Sequence, residues 1–354
     1  MIYAQVTQPG APRQRGLSLV ELMVAITIGI ILLAGVLQIY LSSKQSYRVQ
    51  EATSRLQENG RFAIELLGRD IRDAGNFGCR ARAANQPVAQ GGVLTVNHLD
   101  PTGTGYLPYN ANLAVTGAEG AVANVTPDSI TLQSTVDGGI KVLNAGPQTS
   151  ANIQVSLPNT LASGDIVLVT DCAIGDVFQI TSGNPSASGT VVHNTGAGSP
   201  GNILAVPCTG ANAHCLSKVY GTDARIFTMR QLTYTIAPGA SGQNALFQSV
   251  NGAAAEELVE GVENMQILYG VDGPDADFSA EQYLTAAEVG ANFNQVVSVQ
   301  ISLLLVSAGD TGANVVTAPQ TYTFPLGAAS TTTAGDLRLR RVFTSTFSVR
   351  NRTS

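Results

Sequence analysis

From Leu17 to Leu41 the chain runs for about 25 residues with a single formal charge, Glu21. A helix rising about 1.5 Å per residue needs about 20 apolar residues to cross the hydrocarbon core of a bilayer, so this segment is long enough to span one. Such a helix cannot rest in water; it has to be held in lipid or in a bundle of similar helices. A secretory signal would have a shorter apolar core followed by a small-residue cleavage site. Here the small residue, Gly16, precedes the apolar run, behind a polar leader (1–16) that carries Arg13 and Arg15. A cut after Gly16 would leave the membrane helix on the mature protein. Charge does not orient the segment, because Arg13 and Arg15 on one side are answered by Lys44 and Arg48 on the other.

Beyond Leu41 the helical period continues and becomes amphipathic. Val49, Ala52, Leu56, Ala63, Leu67 and Ile71 recur at spacings of three, four or seven, with Arg55, Glu58, Arg61, Glu65, Arg69 and Asp70 between them. Gly75 and Asn76, which tolerate the left-handed conformation of a helix C-cap, end the pattern. The sequence thus predicts one helix over 17–74, about 87 Å long. Its 17–41 part suits a membrane or a fibre core, and its 42–74 part has one apolar stripe to bury against a sheet.

The remainder, 75–354, reads as a β-rich head. Charged residues make up 12% of the chain while Gly (37 residues), Ser, Thr, Asn and Ala abound, a composition that fits strands and loops better than a helical bundle. Apolar alternation and β-branched residues predict strands over 129–134, 153–157, 166–170, 177–181, 226–236, 246–250, 262–269, 296–306, 321–324 and 337–349. Gly, Pro, Asn and Asp separate them. Residues 80–128 read as a loop-rich surface insertion with one short strand near 93–96. The expected class is α+β: a long N-terminal helix packed on a head of antiparallel sheets. A net charge of −6 provides no general basic field for nucleic acid, so no direct nucleic-acid partner is expected.

The segment Arg15-Gly16-Leu17-Ser18-Leu19-Val20-Glu21 resembles the class III prepilin cleavage site. The resemblance implies that a prepilin peptidase cuts between Gly16 and Leu17 and methylates the new amine of Leu17. The chain departs from the usual pattern at Leu17, where Phe is common, and at Gln38, where major pilins carry Pro. Arg69-Asp70-Ile71-Arg72-Asp73-Ala74-Gly75-Asn76-Phe77-Gly78-Cys79, with segments 165–172, 176–181, 260–272 and 340–352, is similar to the PilW family of type IV pilus minor pilins.

That likeness implies a pilin-like fold and a role in priming pilus assembly and in the pilus tip complex. The implied partners are other minor pilins, the major pilin, the prepilin peptidase, the inner-membrane assembly platform and a tip adhesin. The implied location is the inner membrane with a periplasmic head, then the extracellular pilus. Twitching motility and adhesion would depend on the chain indirectly. A type II secretion pseudopilin of the J kind shares part of the pattern.

Within a membrane helix a carboxylate costs about 2.5–3.5 kcal/mol, so Glu21 needs compensation. It can lie near enough to the helix start to reach the headgroups or be protonated. The resemblance instead implies pairing with the N-terminal ammonium of a neighbouring subunit, an interaction that serves register more than net stability.

Cys79, Cys172, Cys208 and Cys215 form an even set in a chain placed outside the cytoplasm, where disulfides persist. Three connectivities are open. The short segment between Cys208 and Cys215 suits a stapled turn, which leaves Cys79 for Cys172; zinc at Cys215 and His214 is the rival, although the Cys spacing is wide for it. His98, His193 and His214 lie in Gly/Asn-rich stretches and read as solvated loop residues. Asp275, Asp277 and Glu281, with Asp272 nearby, offer a weak calcium pattern that does not satisfy the EF-hand spacing and reads first as a solvated acidic turn. Arg338, Arg340, Arg341, Arg350 and Arg352 alternate partly with apolar residues, as on an edge strand with solvated arginines.

No catalytic constellation emerges and no cofactor is expected. A membrane-tethered carbohydrate-binding or adhesive module is the reading from a different functional class.

Overall fold

The computed structural model describes residues 16, 18–78, 94–109, 113–122, 125–145, 150–196, 198–203, 216–274, 277–307, 315–325 and 331–353. The chain divides into two compact units, Met1–Glu51 and Ala52–Ser354. The long helix α1 (Leu19–Asp73) supplies the described part of the first unit and the opening element of the second. It stops at Asp73, and Gly75 follows with φ +79°, a left-handed geometry that a side chain would resist. The amide of Asn351 caps this end by donating to the carbonyls of Asp73 (3.4 Å) and Ala74 (3.3 Å).

The described strands are β1 (Leu94–Asn97), β2 (Val115–Ala118), β3 (Ser129–Ala145), β4 (Asn152–Val155), β5 (Ile166–Thr170), β6 (Ile174–Gln179), β7 (Thr190–Val192), β8 (Arg225–Pro238), β9 (Asn244–Val250), β10 (Glu256–Glu260), β11 (Val262–Val271), β12 (Gln282–Leu284), β13 (Val296–Val306), β14 (Thr321–Tyr322), β15 (Thr332–Thr333) and β16 (Arg340–Ser348). The larger sheet runs β1-β6-β5-β8-β3-β4-β7, with β9 and β10 continuing from β8 and β2 added to β3. Its pairs are antiparallel except β1 with β6, which are parallel. A second sheet, β12-β11-β13-β16, is antiparallel throughout. The α+β expectation is therefore met.

In the second unit α1 buries one stripe, Leu56, Gly60, Ala63, Leu67, Gly68, Asp70 and Ile71. The apolar members were legible from their spacing; the glycines have a separate cause. A Cβ at Gly60 would lie 2.4 Å from the Phe343 ring, and one at Gly68 would lie 2.4 Å from the Phe347 ring. Eight residues of helix advance about 12 Å and four residues of strand about 13 Å, so the two glycines match the two rings in step along β16. Each glycine lets the helix backbone rest against an aromatic face.

Two apolar clusters flank the larger sheet. One joins α1 to the second sheet and to the inward residues of β8 and β9, including Leu67, Ile71, Tyr234, Leu246, Met265 and Ile301. The other gathers Val142, Ile153, Val167, Val169, Phe178 and Ile226. Leu168 lies in the first cluster while Val167 and Val169 lie in the second, the period-two alternation of a strand covered on both faces.

Parts of the sequence reading need correction. The 80–128 stretch is only partly a surface feature: Val122 and Val125 are exposed, but Leu99, Tyr109, Ala114 and Val115 are buried in the first cluster, and β2 is a strand beyond the one expected near 93–96. Strand β3 runs on to Ala145, past Gly138 and Gly139, by a register shift between Val136 and Ile140.

Candidate functional site

At the start of α1, Gly16 is exposed and outside the helix, and Leu17 falls outside the described residues. Ser18 is the N-cap. Its Oγ accepts from the backbone N–H of Glu21 (3.1 Å), and its carbonyl accepts from Leu22 N–H (3.0 Å). The Ser-x-x-Glu spacing of residues 18–21 is the sequence signature of such a cap. Glu21 stands in the first turn, exposed, where the partial positive charge of the helix N-terminus favours a carboxylate. It is thus placed at the beginning of the spanning segment and not in its middle.

From Leu19 to Leu41 the large apolar side chains are exposed: Leu19 is 75% accessible, Ile31 65% and Ile39 72%. This helix is long and apolar enough to cross a membrane, and none of its most apolar window is buried within the chain. Thr27, a polar residue inside this run, satisfies its hydroxyl by donating to the Met23 carbonyl (2.7 Å).

At the other end of α1 a cleft of about 580 Å³ opens, lined by Arg69, Asp70, Arg72, Asp73, Arg230 and Arg350 together with Asn76 and Asn351. Asp70 is buried there. It accepts from the Tyr234 hydroxyl (2.5 Å), which in turn accepts from the Gln248 amide, and from Arg69 Nε (3.1 Å). Burial and the nearby Asp70 carboxylate push the Tyr234 hydroxyl well above its ordinary pKa, so it remains a donor. Asp73 accepts from Arg230 Nη2 and the Asn76 amide, both at 3.4 Å. Arg72 lies over the Phe347 ring, 5.0 Å from its centroid.

The other sequence-derived candidates separate in space. Cys172 is disulfide-bonded and has φ +70° in the turn between β5 and β6. Cys79, Cys208, Cys215 and His214 lie outside the described residues. His98 and His193 are not solvated: they are 3% and 5% accessible. His193 packs on Phe178, with ring centroids 5.0 Å apart. His98 Nε2 meets the buried Asp176 carboxylate at 2.6 Å; Ser217 donates to the same group through N–H (3.1 Å) and Oγ (2.6 Å), and Tyr220 donates through its hydroxyl. Desolvation works against the Asp176 charge, but the donors from His98, Ser217 and Tyr220 outweigh it and hold the pKa below the ordinary value. The Ser217 hydroxyl bonds directly to that carboxylate, with no base between them. The group is a satisfied buried carboxylate that ties β1 and the 216–220 segment to β6.

Asp277 and Glu281 come together with Asp272, their nearest oxygens within 4.8 Å of one another; Asp272 is buried, and Asp275 is outside the described residues. This corrects the reading of a solvated turn at Asp272, which was not among the three proposed ligands.

The arginines of the last strand are likewise not all solvated. Arg340 is 7% accessible, forked between Glu263 (2.7 and 3.0 Å) and Asp336 (2.5 and 3.1 Å), while Arg338 donates to the Ser307 carbonyl and to Gln243. Arg341 and Arg350 are exposed, and the side chain of Arg352 is outside what is described.

Comparison with known proteins agrees with the resemblance read from the sequence. Residues 233–351, from the middle of β8 through the second sheet to the short helix Arg350–Thr353, match the family model "Type IV Pilus-assembly protein W". Residues 11–37 match the model of the prokaryotic N-terminal methylation motif. No curated protein matches the chain. Among solved structures, the type IV-like pilin TTHA1219 from Thermus thermophilus aligns at 11% identity over 84% of this chain and 96% of its own, with a TM-score of 0.32. The chain is therefore similar to pilus-assembly protein W over its C-terminal third and carries an N-terminal methylation motif that runs into an apolar helix of membrane-spanning length.

Proposed function

We propose that the protein is a minor pilin of a type IV pilus, cut between Gly16 and Leu17, methylated at Leu17 and assembled through α1 into the complex that primes the pilus and sits at its tip. One observation carries the reading. The apolar part of α1 lies behind the methylation motif, so that a cut after Gly16 would retain it, and none of its most apolar window is buried among the described residues. Such a helix is stable in lipid and equally stable in a sheath of like helices, so transfer from membrane to fibre exchanges one apolar environment for another at little cost. The match to the pilus-assembly protein W model supports a pilus over a secretion pseudopilin.

In this reading Glu21, held at the first turn by the Ser18 cap, pairs with the new amine of an adjacent subunit and sets the axial register of helix against helix. The partners are the other minor pilins, the major pilin, the peptidase, the assembly platform and a tip adhesin.

The test is a mass-spectrometric N-terminus together with an assembly assay. The native product begins at methylated Leu17. Glu21→Ala is inserted and cleaved normally but is depleted from sheared pili by about tenfold, as expected for loss of a charge pair worth about 1.4 kcal/mol or more in a dry core. A native chain lacking the apolar helix, or normal incorporation of Glu21→Ala, overturns the respective part of the reading. Deleting the gene abolishes piliation and leaves type II secretion intact; the reverse pattern would assign the chain to the secretion system.

A further inference from the structure

The cleft at the C-terminal end of α1 gathers four guanidinium groups from three elements: Arg69 and Arg72 from α1, Arg230 from β8 and Arg350 from the short helix Arg350–Thr353. Two carboxylates share it, and both are engaged by the protein itself. Asp70 is buried and takes the Tyr234 hydroxyl and Arg69; Asp73 takes Arg230 and Asn76. Cations exceed anions by two in a chain whose net charge is −6.

The surplus has a geometric expression. Arg230 Nε is buried without a hydrogen-bond partner, and its reach to Asp73 is long at 3.4 Å. Arg72 makes no hydrogen bond within the described chain; its guanidinium carbon lies 5.0 Å from the Phe347 ring centroid. A guanidinium placed over an aromatic ring keeps its N–H donors for an incoming acceptor, and a carboxylate can take two of them at once. Favourable interaction of Arg69 and Arg72 with the negative end of the helix dipole accounts for cations near that end, but not for Arg230 brought in from a strand with an orphaned donor.

We infer that this cleft receives the carboxylate of an acidic side chain presented by a second pilin-type subunit, so that it is a head-to-head docking point in the assembly proposed above, on which this inference rests. A monoanionic carboxylate fits the surplus better than a phosphate chain. The half-exposed Asp73 on the cleft wall would repel a polyanion, Phe347 is already covered by Arg72, and the negative field of the whole chain opposes nucleic acid.

The experiment co-expresses the full-length chain with each other prepilin-motif protein of the same cell in turn, and measures co-purification from detergent-solubilised membranes at low and high salt. Arg72→Glu is compared with Arg72→Gln and wild type, with cleavage at Leu17 and oxidation of Cys172 checked in each. One partner is expected to fall by about tenfold or more with Arg72→Glu and by less with Arg72→Gln, as for a partly desolvated charge pair. An Asp or Glu→Lys change in that partner restores binding to Arg72→Glu. Unchanged co-purification of both variants with every protein that binds wild type overturns the inference and leaves the pilin assignment standing. If wild type binds none of these proteins, both fail together. Retention of wild type on single-stranded DNA that Arg72→Glu abolishes, with no loss of a protein partner, reassigns the cleft to phosphate and also overturns the inference. Should Arg72→Glu fail to fold, the milder Arg72→Gln against the partner's charge variants decides.

Discussion

Replacing Gly68 with Ala tests how α1 is seated on the head. The new methyl group would start 2.4 Å from Phe347 Cε1 and 2.6 Å from Cζ, whereas carbon atoms in contact prefer about 3.5–4.0 Å. Helix or ring must therefore move by about 1 Å. Phe347 is buried at 7% accessibility with Arg72 above it, and the end of α1 is pinned by Asn351, so neither moves cheaply. Overpacking of this kind costs about 1–3 kcal/mol, and loss of the Arg72–ring contact adds about 0.5–1. Against this, Ala is favoured over Gly inside a helix by about 1 kcal/mol.

The net expectation is a loss of about 0.5–3 kcal/mol. Gly60→Ala is the internal control. Its clash with Phe343 is as close, but that ring is only half-buried and can swing toward solvent, so the helix-propensity gain cancels most of the cost. Thermal unfolding of the full chain in detergent reads the difference, at roughly 2–4 °C per kcal/mol for domains of 150–250 residues. The pair Gly68→Ala with Phe347→Leu should recover stability relative to the sum of the single changes by about 1 kcal/mol. A Gly68→Ala chain as stable as wild type, or a double-mutant coupling near zero, refutes the close-approach account.

Three further outcomes are expected. Arg340→Ala strands Glu263 and Asp336, and should destabilise the head by about 2–4 kcal/mol in the same melt, below the range of fully buried pairs because both acids remain part-hydrated. The carboxyls of Asp176 and Asp336 are held below their unfolded values, Asp336 chiefly by its hydrogen bond to Arg340. Their contribution is therefore complete above the ordinary Asp pKa of about 3.9 and is lost as pH falls through the lower folded values, so melting temperature should drop on acidification below about pH 4, less steeply in Asp176→Asn. Peptide mapping without reduction should join Cys172 to Cys79 and Cys208 to Cys215; the alternative pairing of Cys172 would appear as a different linked peptide, and removal of its bond should cost about 2–5 kcal/mol.

What the sequence disclosed were features whose cause is local. The apolar run, the acid five residues beyond Gly16 and the stripe Leu56-Ala63-Leu67-Ile71 all follow from neighbours along the same helix, as did most strands, where alternation reports burial directly. What escaped it depends on contacts far along the chain. Gly60 and Gly68 look like weaknesses in a helix until Phe343 and Phe347 are laid against them. Strand β10, Glu256-Glu257-Leu258-Val259-Glu260, hides behind its charges because it pairs with β9 alone, and charged side chains are what an edge strand carries to avoid pairing further. His98 sits among loop-forming residues, yet it is buried because its Nε2 finds a hydrogen-bond partner in the Asp176 carboxylate on a neighbouring strand.

The same division applies to the candidate site. Its N-terminal half was readable as a methylation motif followed by an apolar helix of spanning length, because both are matters of one short segment. The arginine cleft was not, although Arg69-Asp70-Ile71-Arg72-Asp73 stood out as a segment. Alternating charges on a helix ordinarily read as mutual pairs along its surface. The structure breaks that symmetry by sinking Asp70 onto Tyr234 and committing Asp73 to Arg230 from another element, so the helix keeps its cations while its anions are absorbed by the head. A motif neutral in sequence thereby becomes a positive surface in space, and its partner chemistry can be inferred only after the carboxylates have been assigned to their donors.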